Sequence, residues 1–223
     1  MSEAILPDDT LAFRNYYSDD YLETNVRTGV TQNRAGTRLL ALSSDFLIGL
    51  HQALTMECGE AAHTVFRTCG KSWGRQFGVK FEQELTQFYG RNLREFPVML
   101  FEACLKEAFS RHGWGQVEVD YSHYEHGVIV VDLPSSIYVD LLGRQATEGD
   151  PLMMGLLAGL FSHLSGQNLE ALQTQNKAKG EGANRYILTL PYRIQAAQQW
   201  LDQGKKHEDI LAALERDYTP GQS

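Results

Sequence analysis

Apolar positions along the chain switch between two periods. From about Glu60, steps of three and four put Ala62, Val65, Phe66, Cys69, Trp73, Phe77, Phe81, Leu85 and Phe88 on one stripe, which predicts a long helix. Before it, Ser43 and Ser44 can cap a helix over Asp45–Met56 with Leu47, Leu50, His51 and Leu54 on one face. After it, Glu95–Arg111 reads as a third helix burying Val98, Met99, Ala103 (or Glu102) and Leu105. The period then drops to two. Val117, Val119 and Tyr121 alternate with Glu118 and Asp120 in a strand over Gln116–Tyr124. Gly127–Leu133 is a denser strand, and His123–Gly127 is the turn between the two. Ser135–Leu142 reads as a short helix, and Met153–Leu164, apolar almost all round, as a central buried one. Leu169–Lys177 and Arg185–Leu190 predict a second hairpin, and Arg193–Gln203 and His207–Asp217 two closing helices. Ile194, Ala197, Leu201, Ile210, Leu211 and Leu214 form the expected buried face of that closing pair. Near the start, a short helix from about Asp9 to Leu22 and a strand over Thr37–Leu42 are expected.

This order of helices, hairpin, helix, hairpin and helices predicts an α+β fold with a mostly antiparallel sheet and helices packed on it, not alternating βαβ units. Residues 1–34 read as an acidic N-terminal arm and 192–223 as a C-terminal helical extension. At 223 residues, 43% of them hydrophobic, the chain can bury a core without staples. Twenty Lys and Arg against 28 Asp and Glu give a net charge of −8, which disfavours nucleic acid and anchoring to anionic lipid. Cys58, Cys69 and Cys104 are too few and scattered for a disulfide framework and read as buried thiols in a reducing compartment. The N-terminus lacks the pattern of a secretory signal. The most apolar stretch, 14 residues from Pro151 to Leu164, falls short of the roughly 20 that span a bilayer. A cytoplasmic protein is therefore expected.

Gly70, Gly74 and Gly78 recur every four residues in the long helix, and Gly155 and Gly159 repeat the spacing in the buried one. Glycine costs a helix about 1 kcal/mol relative to alanine. Something therefore approaches these backbones closely: a neighbouring helix first of all, or else a second subunit or a flat ligand. Gly70-Lys71-Ser72 is not a phosphate loop, because Val65 stands where the first glycine would be. His123 and His126 sit at a turn without a third ligand nearby, which favours solvated histidines over a metal site. His51, His63, His112 and His163 are isolated, and none by itself outweighs an ordinary packed histidine. No nucleophile elbow, HExxH, dinucleotide fingerprint or paired CxxC occurs. Binding is favoured over catalysis.

Two segments together resemble the 4-vinyl reductase-like domain of bacteriochlorophyll synthesis. They are Gly59-Glu60-Ala61-Ala62 through Cys69-Gly70-Lys71-Ser72-Trp73-Gly74, and Met154–Ser162 through Gly166 followed by Thr174–Leu188. The resemblance covers roughly Gly36–Pro191 and marks 35–191 as a ligand-binding domain. It implies a fold related to haem nitric-oxide sensors and transport-particle subunits, often dimeric, enclosing an apolar ligand. Many members carry zinc-binding Glu and Cys on the last hairpin. Gln173, Asn176 and Asn184 stand there instead, so no zinc is expected, since amides are poor zinc ligands.

The resemblance implies a stand-alone binder of a hydrophobic small molecule, a tetrapyrrole or chlorophyll precursor, serving pigment metabolism or photosystem assembly. Trp73, Phe77 and Phe81 are the expected aromatic walls, and Met99, Met154, Leu157 and Phe161 the adaptable ones. Tyr124 or Tyr138 is the expected polar handle and His163 an axial ligand. A homodimer is implied, with the glycine-notched helix as a candidate contact, together with photosystem or pigment-synthesis partners and a peripheral place at the thylakoid membrane. The alternative is a ligand-free assembly scaffold. A vinyl reductase is the minor reading, because the chain lacks a dinucleotide or flavin fingerprint for the hydride donor.

Overall fold

The computed structural model describes residues 15–146 and 148–218. A small antiparallel sheet opens it: β1 (Leu22–Asn25), β2 (Val30–Asn33) and β3 (Arg38–Leu39). Helices α1 (Ser44–Cys58), α2 (Ala61–Tyr89) and α3 (Val98–Arg111) follow. The main sheet consists of β4 (Gly115–Asp120), β5 (Ile129–Ser136), β6 (Glu170–Gln175) and β7 (Arg185–Thr189), in the order β4-β5-β7-β6 and antiparallel throughout. Helices α4 (Ile137–Leu142) and α5 (Pro151–Ser165) lie between β5 and β6, and α6 (Pro191–Asp202) and α7 (His207–Arg216) close the chain. The α+β reading with an antiparallel sheet is what the structure shows.

The sheet alternates as its pleat requires. Ile129, Val131, Leu133, Ala171, Tyr186 and Leu188 belong to the large core that includes α5. Val128, Val130, Leu172 and Ile187 face the other way, onto Ile194, Ala197, Ile210, Leu211 and Leu214 of α6 and α7. Arg193 ties this second layer down. Its buried guanidinium donates to the carbonyls of His126 (2.8 Å), Gly127 (3.2 Å) and Leu214 (2.6 Å) and to Thr189 Oγ1 (3.0 Å). On its other side α5 meets α2, which is why eleven consecutive residues from Pro151 to Phe161 are buried.

The glycines make that second contact. A Cβ on Gly70 would sit 2.2 Å from the Leu152 carbonyl oxygen, and one on Gly74 2.0 Å from that of Leu156. Reciprocally, Gly155 faces the Arg67 carbonyl at 2.2 Å and Gly159 that of Lys71 at 2.1 Å. Two backbones thus touch where any side chain would part them. The notched face of α2 is spent inside the chain, which corrects the expectation that it forms a dimer contact.

Several boundaries and burials differ from expectation. Of the helix expected over residues 9–22, residues 9–14 lie outside the described residues. From Asn15 the chain forms turns, with Asn15 Oδ1 accepting the Tyr17 amide at 2.9 Å, while Tyr16, Tyr17 and Tyr21 are buried. Glu84 of α2 fixes this region by accepting from Tyr16 Oη (2.8 Å), Asn33 Nδ2 (3.0 Å) and Thr37 Oγ1 (2.6 Å). The strand expected over Thr37–Leu42 shortens to Arg38–Leu39, leaving Leu40 and Leu42 exposed. Helix α3 starts after Pro97, because proline disfavours helical backbone in the residue before it. Its buried face is Cys104, Leu105, Ala108 and Phe109, one turn later than expected, so Val98 and Met99 point outward at 61% and 58% exposure. On α2 the predicted stripe holds at Ala62, Phe66, Phe81 and Leu85, which are buried together with the glycine face, while Val65 and Cys69 are exposed. Only Cys104 among the three cysteines is buried; Cys58 and Cys69 are exposed.

Candidate functional site

The ten residues expected to line a ligand site do not converge on one place. Trp73 and Phe77 pack edge-on against Trp114, with ring centroids 4.7 and 4.9 Å away. Phe81 and Leu157 are wholly enclosed in the core. Tyr138 is buried and its hydroxyl meets His51 Nδ1 at 2.9 Å. Met154 lies beside β6, where its sulfur accepts the Gln173 amide at 3.3 Å. Met99 faces outward. His163 packs on Gly78, and its Nε2 is 2.7 Å from Glu82 Oε2, so the ring nitrogen best placed for axial ligation is already engaged.

Phe161 and Tyr124 do meet, at an open apolar groove of about 260 Å³. Its floor and walls come from four elements. Phe96, Val98 and Phe101 come from the turn before α3 and its first turn, Tyr121 and Tyr124 from the end of β4 and the turn after it, Ile129 from β5, and Phe161 and Leu164 from the end of α5. The first turn of α3, which starts after Pro97, forms one bank of the groove, with Val98 exposed and Phe101 packed against the core. Around the rim stand Glu82, Arg94 and Ser165. The Ser165 hydroxyl is used up on the Phe161 carbonyl at 2.7 Å. The Tyr121 hydroxyl makes no hydrogen bond to a described residue, and burial of its ring pushes its pKa above the ordinary phenol value. The groove therefore offers aromatic surface, the phenols of Tyr121 and Tyr124 and a mixed rim: the ingredients of a site for a small apolar molecule. Phe96, Phe101 and Tyr121 escaped sequence reasoning because they lie on three separate elements.

Gln173, Asn176 and Asn184, the positions at which the resemblance places zinc ligands, are engaged in hydrogen bonds. Gln173 Nε2 donates to Asn184 Oδ1 (3.4 Å), which also accepts from the Lys177 amide (3.0 Å). Asn184 Nδ2 reaches the Leu133 carbonyl (3.2 Å) and Asn176 Nδ2 that of Ala146 (2.8 Å). All three amides are buried, and among the described residues no group of three or more His, Cys, Asp or Glu is arranged to hold a metal ion. Next to them Gln173 Oε1 accepts the backbone amide of Asp150 at 2.8 Å. The Asp150 carboxylate is fully enclosed and accepts from Ser136 Oγ (2.5 Å), Tyr186 Oη (3.2 Å) and the Met153 amide (3.0 Å), capping α5. Burial raises its pKa from 3.8 to about 6, and no described cation counters this.

A wider, polar cleft of about 740 Å³ runs between β6 and the α6–α7 pair, past His63, Gln175, Lys205 and His207. A second groove of the same volume lies along Arg67, Lys71 and Arg75 of α2, where Glu170 pairs with both Arg67 and Lys71. Both mix the two signs of charge and lack the groove's aromatic surface.

No protein-family model matches the chain, and no curated protein matches it in sequence. Solved structures do. The phenol-responsive sensory domain of the transcription activator PoxR, crystallised with phenol, superposes with a TM-score of 0.60 at 18% identity, over 95% of this chain and 94% of that one. Trafficking protein particle complex subunit 3 from Naegleria fowleri, covalently bound to palmitic acid, gives 0.47 at 14% identity over 66% of this chain and 94% of that one. A vinyl-4-reductase family protein from Methanocaldococcus jannaschii gives 0.45 at 13% identity over 68% of this chain and 83% of that one. At such identities the sensory-domain likeness is one of fold. Among the described residues no helix is long and apolar enough to cross a membrane.

Proposed function

We propose that this chain binds a small hydrophobic molecule without transforming it, in the aromatic groove between the start of α3 and the end of α5. The observation that carries the reading is the groove itself: Phe96, Phe101, Ile129 and Phe161 present apolar surface to an opening that nothing in the described chain fills. Burying flat apolar area there supplies the affinity, at about 25 cal/mol per Å², and the Tyr121 hydroxyl supplies direction. The fold shared with a phenol-responsive sensory domain is in keeping with such a role. A tetrapyrrole, the ligand that the family resemblance implies, exceeds 260 Å³ and would need the groove to open.

The test is a titration of the wild-type protein and a Val98→Trp variant with a panel of small aryl alcohols and, separately, chlorophyllide. Val98 is exposed at the mouth, so tryptophan there plugs the groove without disturbing the core. Saturable binding of aryl alcohols to the wild type, weakened at least tenfold by Val98→Trp at unchanged thermal stability, is the expected result. Binding that ignores the plug places the site elsewhere. A shifted pigment band with chlorophyllide alone restores the tetrapyrrole.

A second reading concerns partners, and α1 favours it. None of its 15 residues is buried, and Leu42, Phe46, Leu50 and Met56 on and beside it are exposed at 60, 53, 38 and 79%. Leu47, Ile48 and Leu54 hold α1 to the core, and its outer apolar positions have no cover among the described residues, so a covering surface would bury them. A second copy of this chain is the occupant proposed here, in place of the glycine face. Light scattering is expected to show a dimer at micromolar concentration and a monomer for the double variant Phe46→Glu, Leu50→Glu. A monomeric wild type removes this reading and leaves the groove untouched.

A further inference from the structure

We infer that the groove's ligand is an anion, a small aryl monocarboxylate whose carboxylate meets Arg94. This rests on the groove being the binding site. The argument comes from how the rim charges are spent. The lining includes one acidic and one basic side chain, Glu82 and Arg94. Glu82 is engaged: its Oε2 lies 2.7 Å from His163 Nε2, which turns it back toward α5. Arg94 is not. Its backbone amide donates to Asn92 Oδ1 at 3.0 Å, closing the short turn over Leu93–Glu95, but its guanidinium has no hydrogen bond, ion pair or ring contact with any described residue. A side chain with five donors therefore stands free beside an apolar slot, on a chain whose net charge is −8. Guanidinium recognises planar oxyanions through two parallel hydrogen bonds, and carboxylate is the smallest such partner.

The chemistry of the lining narrows the class. Phe96, Phe101 and Phe161 offer ring faces and edges, which suit a flat aryl body packed offset or edge-on. A dicarboxylate would bring its second charge against these rings.

The test is fluorine NMR titration of the full chain with 4-fluorobenzoate and its neutral partner 4-fluorobenzyl alcohol, in the wild type, Arg94→Gln and Val98→Trp. Arg94 is exposed, so its replacement leaves the fold alone. Expected is a five- to tenfold preference of the wild type for the carboxylate over the alcohol, lost in Arg94→Gln, and loss of both probes in Val98→Trp. Equal binding of the two probes by the wild type, or a preference that survives Arg94→Gln, overturns the carboxylate and leaves the groove standing. Failure of both probes to bind the wild type overturns the groove as well.

Discussion

Replacing Gly74 by alanine is expected to lower the stability of the fold by about 3 kcal/mol or more, the range of severe overpacking. One methyl group does this because of what it meets. It would lie 2.0 Å from the Leu156 carbonyl oxygen and 2.7 Å from the carbonyl carbon, atoms of a helix backbone that cannot rotate aside. Relief requires α2 and α5 to separate along their length, and that opens the contacts made by Gly70, Gly155 and Gly159 together. The same substitution elsewhere has the opposite sign. Gly49, inside α1, has nothing within 4 Å of its missing Cβ, so Gly49→Ala should gain up to about 1 kcal/mol from helix propensity. Gly78 is intermediate, since its nearest neighbours are side-chain atoms of His163 and Leu160 at 3.1 to 3.3 Å, which can shift. Urea unfolding followed by circular dichroism orders the three. A Gly74→Ala midpoint equal to wild type would contradict the packing of α2 on α5.

The second large effect is a pair of opposed titrations. Asp150 has its pKa raised from 3.8 to about 6, so the folded state holds its proton more tightly than the unfolded state does. Its contribution to stability is full below the unfolded value and is lost as pH rises through about 6. The difference corresponds to about 3 kcal/mol at about 1.4 kcal/mol per pH unit. His207 runs the other way. It is buried at the start of α7, with Nδ1 2.7 Å from Thr174 Oγ1. Burial first, and Arg185 second, depress its pKa from 6.5 to about 4. It stays neutral when folded, and the stability this carries is lost as pH falls from 6.5 through 4. The two slopes occupy the same window and offset each other in the wild type. Single substitutions separate them. Measured by urea unfolding, the stability of wild type relative to Asp150→Asn should rise by about 2 kcal/mol between pH 8 and pH 4. Relative to His207→Gln it should fall over the same interval. A flat difference for Asp150→Asn would mean that its carboxylate is solvated.

How far the sequence reaches is clearest at α5. Its residues are apolar around the whole circumference, and that property alone demands burial on every side, which the sheet and α2 supply. The period-two run over Val117–Tyr121 and the two hairpins follow from equally local signals. The glycine spacing told of a close approach without saying to what, because the partner lies some 80 residues on and only the fold brings Gly74 to Leu156. On α3 the period was legible and the phase only in part. Leu105 is buried as expected, but Val98 and Met99 are as apolar as Phe109, and only the packing of the fold turns Phe109 inward and leaves them out. The groove was half legible for the same reason. Phe161 and Tyr124 were singled out, each on its own element, whereas Phe96, Phe101 and Tyr121 join them only through tertiary contact. Gln173, Asn176 and Asn184 could be recognised as replacements one at a time. That Gln173 bonds to Asn184 beside Asp150, while Asn176 reaches the Ala146 carbonyl, is a property of the folded hairpin.

Amide chemical-shift mapping across a titration with neutral aryl alcohols tests the central proposal most directly, because it locates the ligand without relying on Arg94. Saturable shifts concentrated at Phe96–Phe101, Tyr121–Tyr124 and Phe161–Ser165 are predicted. Saturable shifts confined to the polar cleft around His63, Gln175 and His207, or none at any position, would contradict binding in the aromatic groove.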